Sequence, residues 1–391
     1  MSVTAAAGFV AAGVTAGLKP SGRPDVALVV NEGPMRVAAG VFTSNRVFAA
    51  PVAWSRQVLA DARVDAVVLN SGGANAATGF EGFADTHATA EHVAAELQSL
   101  GRDVSAGDVA VCSTGLIGVR LPMDTLLAGI DAAAAALGAD GGDDAAHAIL
   151  TTDTVTKQAV AHGDGWAVGG MAKGAGMLAP GLATMLCVIT TDAVVDPERA
   201  QAALKEAVRT TLNRVDSDGC MSTNDTVLLM VSGASGIMPG IDEFEAALTD
   251  VCAQIARGLI ADAEGATHDI AITVVEASSE DAAEAVGRAI ARSNLFKAAV
   301  FGGDPNWGRI ISAAGTVPEE VAPFDAAALD VTINGVQVCR AAGVGDPREG
   351  VSLADREVRV EVNLHAGDAT ATIWTNDLTH DYVHENSAYS T

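Results

Sequence analysis

The chain has 391 residues, which suits one large or two medium domains, and is 49% apolar but only 4% aromatic, so Ala, Val and Leu must fill its core. Its formal charge of −26 comes from scattered Asp and Glu and argues against nucleic acid or anionic membrane surfaces as partners, since both call for basic patches. Five widely spaced cysteines without a Cys-x-x-Cys suggest neither a disulfide framework nor a zinc knuckle. No apolar run reaches about 18 residues, and the start Met1-Ser-Val-Thr lacks a basic targeting region, so the expected location is the cytoplasm.

In chain order, residues 25–31 and 36–43 read as strands. An apolar strand at 64–70 ends in the loop Ser71-Gly-Gly-Ala-Asn-Ala-Ala-Thr-Gly79, and a helix at 83–100 follows. A short strand at 107–112 ends in Ser113-Thr114-Gly115, and helices are expected at 123–137 and 143–150. Gly163-Asp-Gly165, between Lys157–His162 and Trp166–Met171, signals a hairpin. Met185 to Thr191 is continuously apolar, the pattern of a strand buried on both faces. Pro197 opens a helix to about 213, and Thr226–Ser232 is another apolar strand.

The pattern then shifts to a helix at 241–263, a strand at 269–277 and a helix at 280–293. Asn334-Gly335 marks a second hairpin, strands follow at 357–364 and 369–375, and the tail reads as irregular. The expected class is α/β (α+β): residues 1–237 as a main domain of two sheets layered between helices, and 238–391 as a smaller α+β domain.

The stretch Lys173-Gly-Ala-Gly-Met-Leu-Ala-Pro180 runs into the apolar strand with Thr184 at the junction. A threonine at a strand start is usually a β-former. The loop, with Gly174, Gly176, Pro180 and Gly181, permits close approach, and Ala183-Thr184 is small enough to be cut. Cleavage there would give Thr184 a free α-amine to act as base for its own hydroxyl. Gly174-Ala-Gly176 is not a dinucleotide fingerprint, because Pro180 stands where the helix should continue. Thr114 and Gly115, otherwise an ordinary turn, could offer a hydroxyl and an N–H to an oxyanion. The eight histidines are dispersed; only His380 and His384 are four apart, in a tail that does not read as a helix. No metal site is expected.

These residues resemble the ornithine acetyltransferase family over essentially the whole chain. The resemblance rests on Lys173–Pro180, Ala183-Thr-Met-Leu186, Thr190-Thr-Asp-Ala193, Asn70–Gly79, Cys112-Ser-Thr-Gly-Leu-Ile-Gly118, Thr151-Thr-Asp-Thr154, Ser222-Thr-Asn-Asp-Thr226, Asp304-Pro-Asn-Trp-Gly-Arg309 and Glu385-Asn-Ser-Ala-Tyr-Ser390. It implies a layered α-β-β-α sandwich of N-terminal-nucleophile-like type. It also implies cleavage between Ala183 and Thr184 into α and β chains that stay together as an α2β2 heterotetramer. The implied reaction carries acetyl from N2-acetylornithine to glutamate in arginine biosynthesis, through acetyl-Thr184.

Thr114 and Gly115 would form the oxyanion hole, and Thr151, Lys173, Thr184, Glu264, Asn386 and Thr391 would contact substrate. Thr152 adjoins Thr151 and competes for that role. The charges suggest Lys173 for a carboxylate and Glu264 for an ammonium, although charge alone leaves the reverse division open. The tail carrying Asn386 and Thr391 would return to the active site. No cofactor is implied; some members take acetyl-CoA as a co-substrate. The sequence departs from the family's usual pattern at Gly73, Ala77 and Ala175, which bears on substrate positioning. An alternative is a self-processing N-terminal-threonine aminopeptidase or amidase, with water as acceptor. A second is an uncut metabolite-binding protein.

Overall fold

The structure is a computed structural model that describes residues 2–179 and 185–388. Its contacts divide the chain into two compact units. The first takes residues up to Asn213 together with Met221–Leu259, and the second takes Arg214–Cys220 together with the chain from Ile260.

The first unit contains strands β1 (Phe9–Val14), β2 (Val26–Asn31), β3 (Val37–Phe42), β4 (Ala66–Asn70), β5 (Val109–Ser113), β6 (Lys157–His162), β7 (Ala167–Lys173), β8 (Leu186–Thr191) and β9 (Thr226–Val231). Its helices are α1 (Ala50–Val58), α2 (Gly79–Ser99), α3 (Met123–Ala135), α4 (Gly142–Ala148), α5 (Pro197–Thr210) and α6 (Ile241–Ala261). One sheet has the order β1-β2-β4-β5 and the other β3-β9-β8-β7-β6. Parallel pairs occur at β4/β5 and β8/β9, and the remaining pairs are antiparallel.

The inner faces of both sheets meet in one core. Val29, Val67, Leu69 and Cys112 from the first pack with Met171, Leu186, Val188 and Met230 from the second. Helices α2 and α3 cover the outer face of the first sheet through Val93, Leu97, Leu126 and Ile130. Helix α5 packs on β3, and Val251 and Ile255 of α6 lie close against Gly170 on the second sheet. The layering is therefore α-β-β-α, as the family resemblance implied. Strand β8 is buried at every position, which explains why it is apolar on both faces.

The second unit contains β10 (Asp269–Ala277), α7 (Glu280–Ala291), α8 (Asn294–Phe301), α9 (Trp307–Ala314), β11 (Asp330–Ile333), β12 (Val336–Arg340), β13 (Gly343–Val344), β14 (Glu357–Asn363), β15 (Ala369–Asn376) and α10 (His380–Ala388). Its sheet has the order β13-β12-β11-β14-β10-β15, with one parallel pair at β10/β14. Helices α7 and α9 bury Val286, Ile290 and Ile310 with Ile272, Val360 and Ile373 of the sheet.

Two expectations differ from the structure. The boundary expected near 238 instead falls within the last turn of α6, because the apolar face of α6 packs on the second sheet through Val251 and Ile255. The tail expected to be irregular is helical from His380 to Ala388. Thr379 caps it, its hydroxyl accepting the Tyr382 N–H at 3.0 Å, and Asp381 sits favourably in the first turn.

Candidate active site

Strands β4 and β5 are parallel and in register, with Asn70 opposite Ser113, so the loops that follow them leave side by side. Asn70 Nδ2 donates to Ser113 Oγ at 2.6 Å, and the Thr114 N–H donates to Asn70 O at 3.0 Å. The loops are further tied by Ala74 N–H to Leu116 O and Gly118 N–H to Ala76 O. Thr114 is buried.

Gly115 has φ +129°, a backbone region that a side chain rarely tolerates. A Cβ there would lie 2.8 Å from Gly73 N and 2.9 Å from its Cα, so the turn rests directly on Gly73. Among the described residues none accepts the Gly115 N–H. The turn thus presents a buried threonine and a backbone donor, the parts an oxyanion site requires.

Lys173, at the end of β7, is 2% exposed, and its Nζ lies 3.5 Å from Thr114 Oγ1. Beside it is a carboxylate that the sequence reading did not single out. Asp153 faces Lys157 Nζ at 2.5 Å and Lys173 Nζ at 3.9 Å. It also accepts the Gly174 N–H at 2.6 Å and the Thr151 N–H at 2.9 Å. Burial alone would raise the Asp153 pKa, but the charges of Lys173 and Lys157 outweigh it and hold the carboxyl well below the usual range. Asp153 therefore draws Thr151, Lys173 and Gly174 to one point. Lys19 lies in the same neighbourhood, donating to Leu150 O at 2.6 Å and Pro24 O at 2.8 Å. Burial lowers its pKa to about 8.

A third element comes from Ser222–Thr226. Asn224 Nδ2 donates to Ser113 O at 2.8 Å and to Ala74 O at 2.6 Å, so it clamps both loops behind the Thr114–Gly115 turn. The next residue, Asp225, accepts the Met185 N–H on Oδ1 at 3.0 Å. Burial pushes this carboxyl well above the usual range. The Met185 N–H and the Lys173 charge favour ionisation but do not offset burial. Asp225 also escaped the sequence reading; its motif was noted, but burial is not a local property of sequence.

In the second unit, Glu264 and Asn386 meet: Asn386 Nδ2 donates to Glu264 Oε2 at 2.9 Å and to Tyr382 O at 3.0 Å. The Thr379 hydroxyl donates to Gly265 O at 2.7 Å, joining the start of α10 to the turn after α6. Burial raises the Tyr382 phenol, helped by the charges of Asp218, Cys220 and Glu264. Ala183, Thr184 and Thr391 lie outside the described residues.

Ala175 is buried, whereas Ala77 is exposed at φ +56°. Among the described residues, His92, Glu96 and Asp131 alone have the spacing to hold a metal, and they sit on α2 and α3. No helix among the described residues is long and apolar enough to cross a membrane.

Residues 10–391 match the family model described as the ArgJ family. The "Arginine biosynthesis bifunctional protein ArgJ" of Streptomyces coelicolor is 64% identical over 390 residues, covering all of both chains. The protein of the same name from Thermobifida fusca is 60% identical over 391 residues, again covering both in full. A crystal structure of ornithine acetyltransferase complexed with ornithine, from Mycobacterium tuberculosis, is 62% identical, covers 47% of this chain and 96% of that one, and has a TM-score of 0.46. The chain belongs to the ArgJ family.

Proposed function

We propose that the protein transfers acetyl from N2-acetyl-L-ornithine to L-glutamate in arginine biosynthesis, through an ester on Thr184. Full-length relatives named as arginine biosynthesis bifunctional proteins support the pathway. The observation that carries the chemistry is the Thr114–Gly115 turn: an N–H without a described acceptor and a threonine hydroxyl, beside the buried Lys173.

The chain first cuts itself. Thr184 Oγ attacks the Ala183 carbonyl carbon; the new C–O bond replaces the Ala183–Thr184 C–N bond, and the hydroxyl proton ends on the Thr184 nitrogen. Water then hydrolyses the ester, leaving chains 1–183 and 184–391. The freed α-amine is the base for the second task.

Transfer is ping-pong. Thr184 Oγ attacks the acetyl carbonyl of acetylornithine, its proton passing to the α-amine and on to the departing ornithine nitrogen. The glutamate amine then attacks the acetyl ester, and a proton returns to Thr184 Oγ. In each half, Thr114 and Gly115 stabilise the oxyanion, an effect worth roughly 3–4 kcal/mol per donor.

Thr151, Lys173, Glu264, Asn386 and Thr391 hold the substrates, with Lys173 toward a carboxylate and Glu264 toward an ammonium. The cut chains remain together as an α2β2 heterotetramer in the cytoplasm, and no cofactor takes part. As a second activity the protein acetylates glutamate with acetyl-CoA, a reading in keeping with the word "bifunctional" in the relatives' name.

The test is an assay of purified protein. Ornithine release from acetylornithine should require glutamate for sustained turnover and yield N-acetylglutamate in equal amount. Sustained release of free acetate without glutamate would instead show a hydrolase. Acetyl-CoA with glutamate, in the absence of acetylornithine, tests the second activity.

A further inference from the structure

We propose that Asp225 is a positioning residue for Thr184, holding the Thr184–Met185 peptide in place for chain cleavage and for acyl transfer. The inference rests on the reading of Thr184 as the self-made nucleophile.

Asp225 Oδ1 accepts the Met185 N–H at 3.0 Å, and the following residue, Thr226, donates its N–H to Met185 O at 3.0 Å. Met185 is thus gripped at both its backbone polar groups by consecutive residues. A peptide unit is planar, so an N–H fixed at residue 185 orients the plane that runs back to the α-carbon of residue 184.

The preceding residue, Asn224, holds the Ser113 carbonyl at 2.8 Å, immediately before Thr114. One dipeptide therefore ties the flank of the nucleophile to the flank of the oxyanion turn. Neither side chain contacts the acetyl group in this scheme; each sets the position of a group that does.

Asp225 Oδ2 gives the second observation. Asp225 is 0% exposed, and among the described residues Oδ2 has no hydrogen-bond partner. A buried carboxyl oxygen without a partner is costly, and a charged one more so. Burial pushes this carboxyl well above the usual carboxylate range, in the direction of the neutral form. It serves as a neutral acceptor through Oδ1, so an amide should replace it and an apolar isostere should not.

The full chain would be made by cell-free synthesis as wild type, Asp225→Asn and Asp225→Leu. The appearance of two fragments would be followed by intact mass, with folding checked by circular dichroism. Asp225→Asn should cleave within about threefold of wild type, while Asp225→Leu slows about tenfold to a hundredfold, as expected for losing one buried hydrogen bond. In the cleaved fraction of Asp225→Leu, kcat should fall while KM for acetylornithine stays put.

Cleavage of Asp225→Leu at the wild-type rate would overturn the proposal, as would Asp225→Asn being as slow as Asp225→Leu. If the wild type itself stays uncut, the reading of Thr184 fails instead, and the two failures are distinct. Should Asp225→Leu not fold, cleavage against pH in wild type and Asp225→Asn decides. The charged group acting on Asp225 is Lys173, present in both, so overlaid profiles support a neutral Asp225. A limb present only in the wild type would overturn it.

Discussion

Asp153 Oδ1 lies 2.5 Å from the ammonium of Lys157, and both groups are almost wholly buried. The same carboxylate faces Lys173 at 3.9 Å, so one anion serves two buried cations and the backbone of Thr151 and Gly174. Removing one member of a buried ionic group costs more than the group contributes as a whole. Asp153→Ala should therefore destabilise the protein by about 3 kcal/mol or more, measured by denaturant unfolding, and should depress activity by displacing Lys173. The depressed Asp153 pKa also has a sign. Its stabilising contribution is present above the unfolded carboxylate value and is lost as pH falls toward the folded value, so the wild type should lose stability in acid more steeply than Asp153→Asn.

Lys19 gives the opposite end of the pH scale. Its folded pKa of about 8 lies below its unfolded value of 10.5, so between these values the unfolded chain binds more protons. Stability then rises with pH through this window as the penalty of a buried charge disappears. Lys19→Met should remove that rise. The difference between the two unfolding profiles should be about 1–2 kcal/mol, since solvent partly screens this lysine.

Gly115→Ala is expected to be severe without unfolding the protein. The new methyl would press on Gly73 N at 2.8 Å, in a backbone region unfavourable to Ala. The turn must shift and with it the N–H. kcat should drop by about a hundredfold or more, the usual effect of losing an oxyanion donor, while thermal unfolding moves by a few degrees.

Asn224→Leu strands the carbonyls of Ser113 and Ala74 without their shared donor. A loss of about 1–3 kcal/mol in stability is expected, together with lower kcat because the Thr114 turn loosens. Unfolding and steady-state kinetics on the same preparation measure both.

In the second unit, Glu264→Gln retains the partner of Asn386 but removes the charge. If Glu264 meets a substrate ammonium, KM for acetylornithine should rise at least about tenfold with less change in kcat, since a charge-assisted hydrogen bond becomes a neutral one. Equal KM values would remove Glu264 from substrate binding.

The sequence announced its elements where the physics is local. The apolar run of β8, the Gly163-Asp-Gly165 and Asn334-Gly335 turns and Pro197 at the start of α5 all carry their signals within a few residues. Helix α10 did not, because it has no buried side chain and thus no apolar stripe; its support is the Thr379 cap and the Asn386–Glu264 contact. Helices α8 and α9 have eight residues each, too few for a clear period, although Ser293 and Asn306 stand as their caps.

The Thr114–Gly115 turn was legible as a Thr-Gly pair after a short strand. Asp153 and Asp225 were not, since a buried carboxylate looks like any other acid until the fold brings Lys157, Lys173 and Met185 beside it.

The most direct test of Thr184 as a self-made, acetyl-accepting nucleophile is an intact mass spectrum under denaturing conditions, after brief exposure to acetylornithine without glutamate. Two fragments are expected, the larger beginning at Thr184 and carrying one added acetyl group, and Thr184→Ala should give neither the cut nor the acetyl. A single uncut species, or cleavage and acetylation surviving in Thr184→Ala, would contradict it.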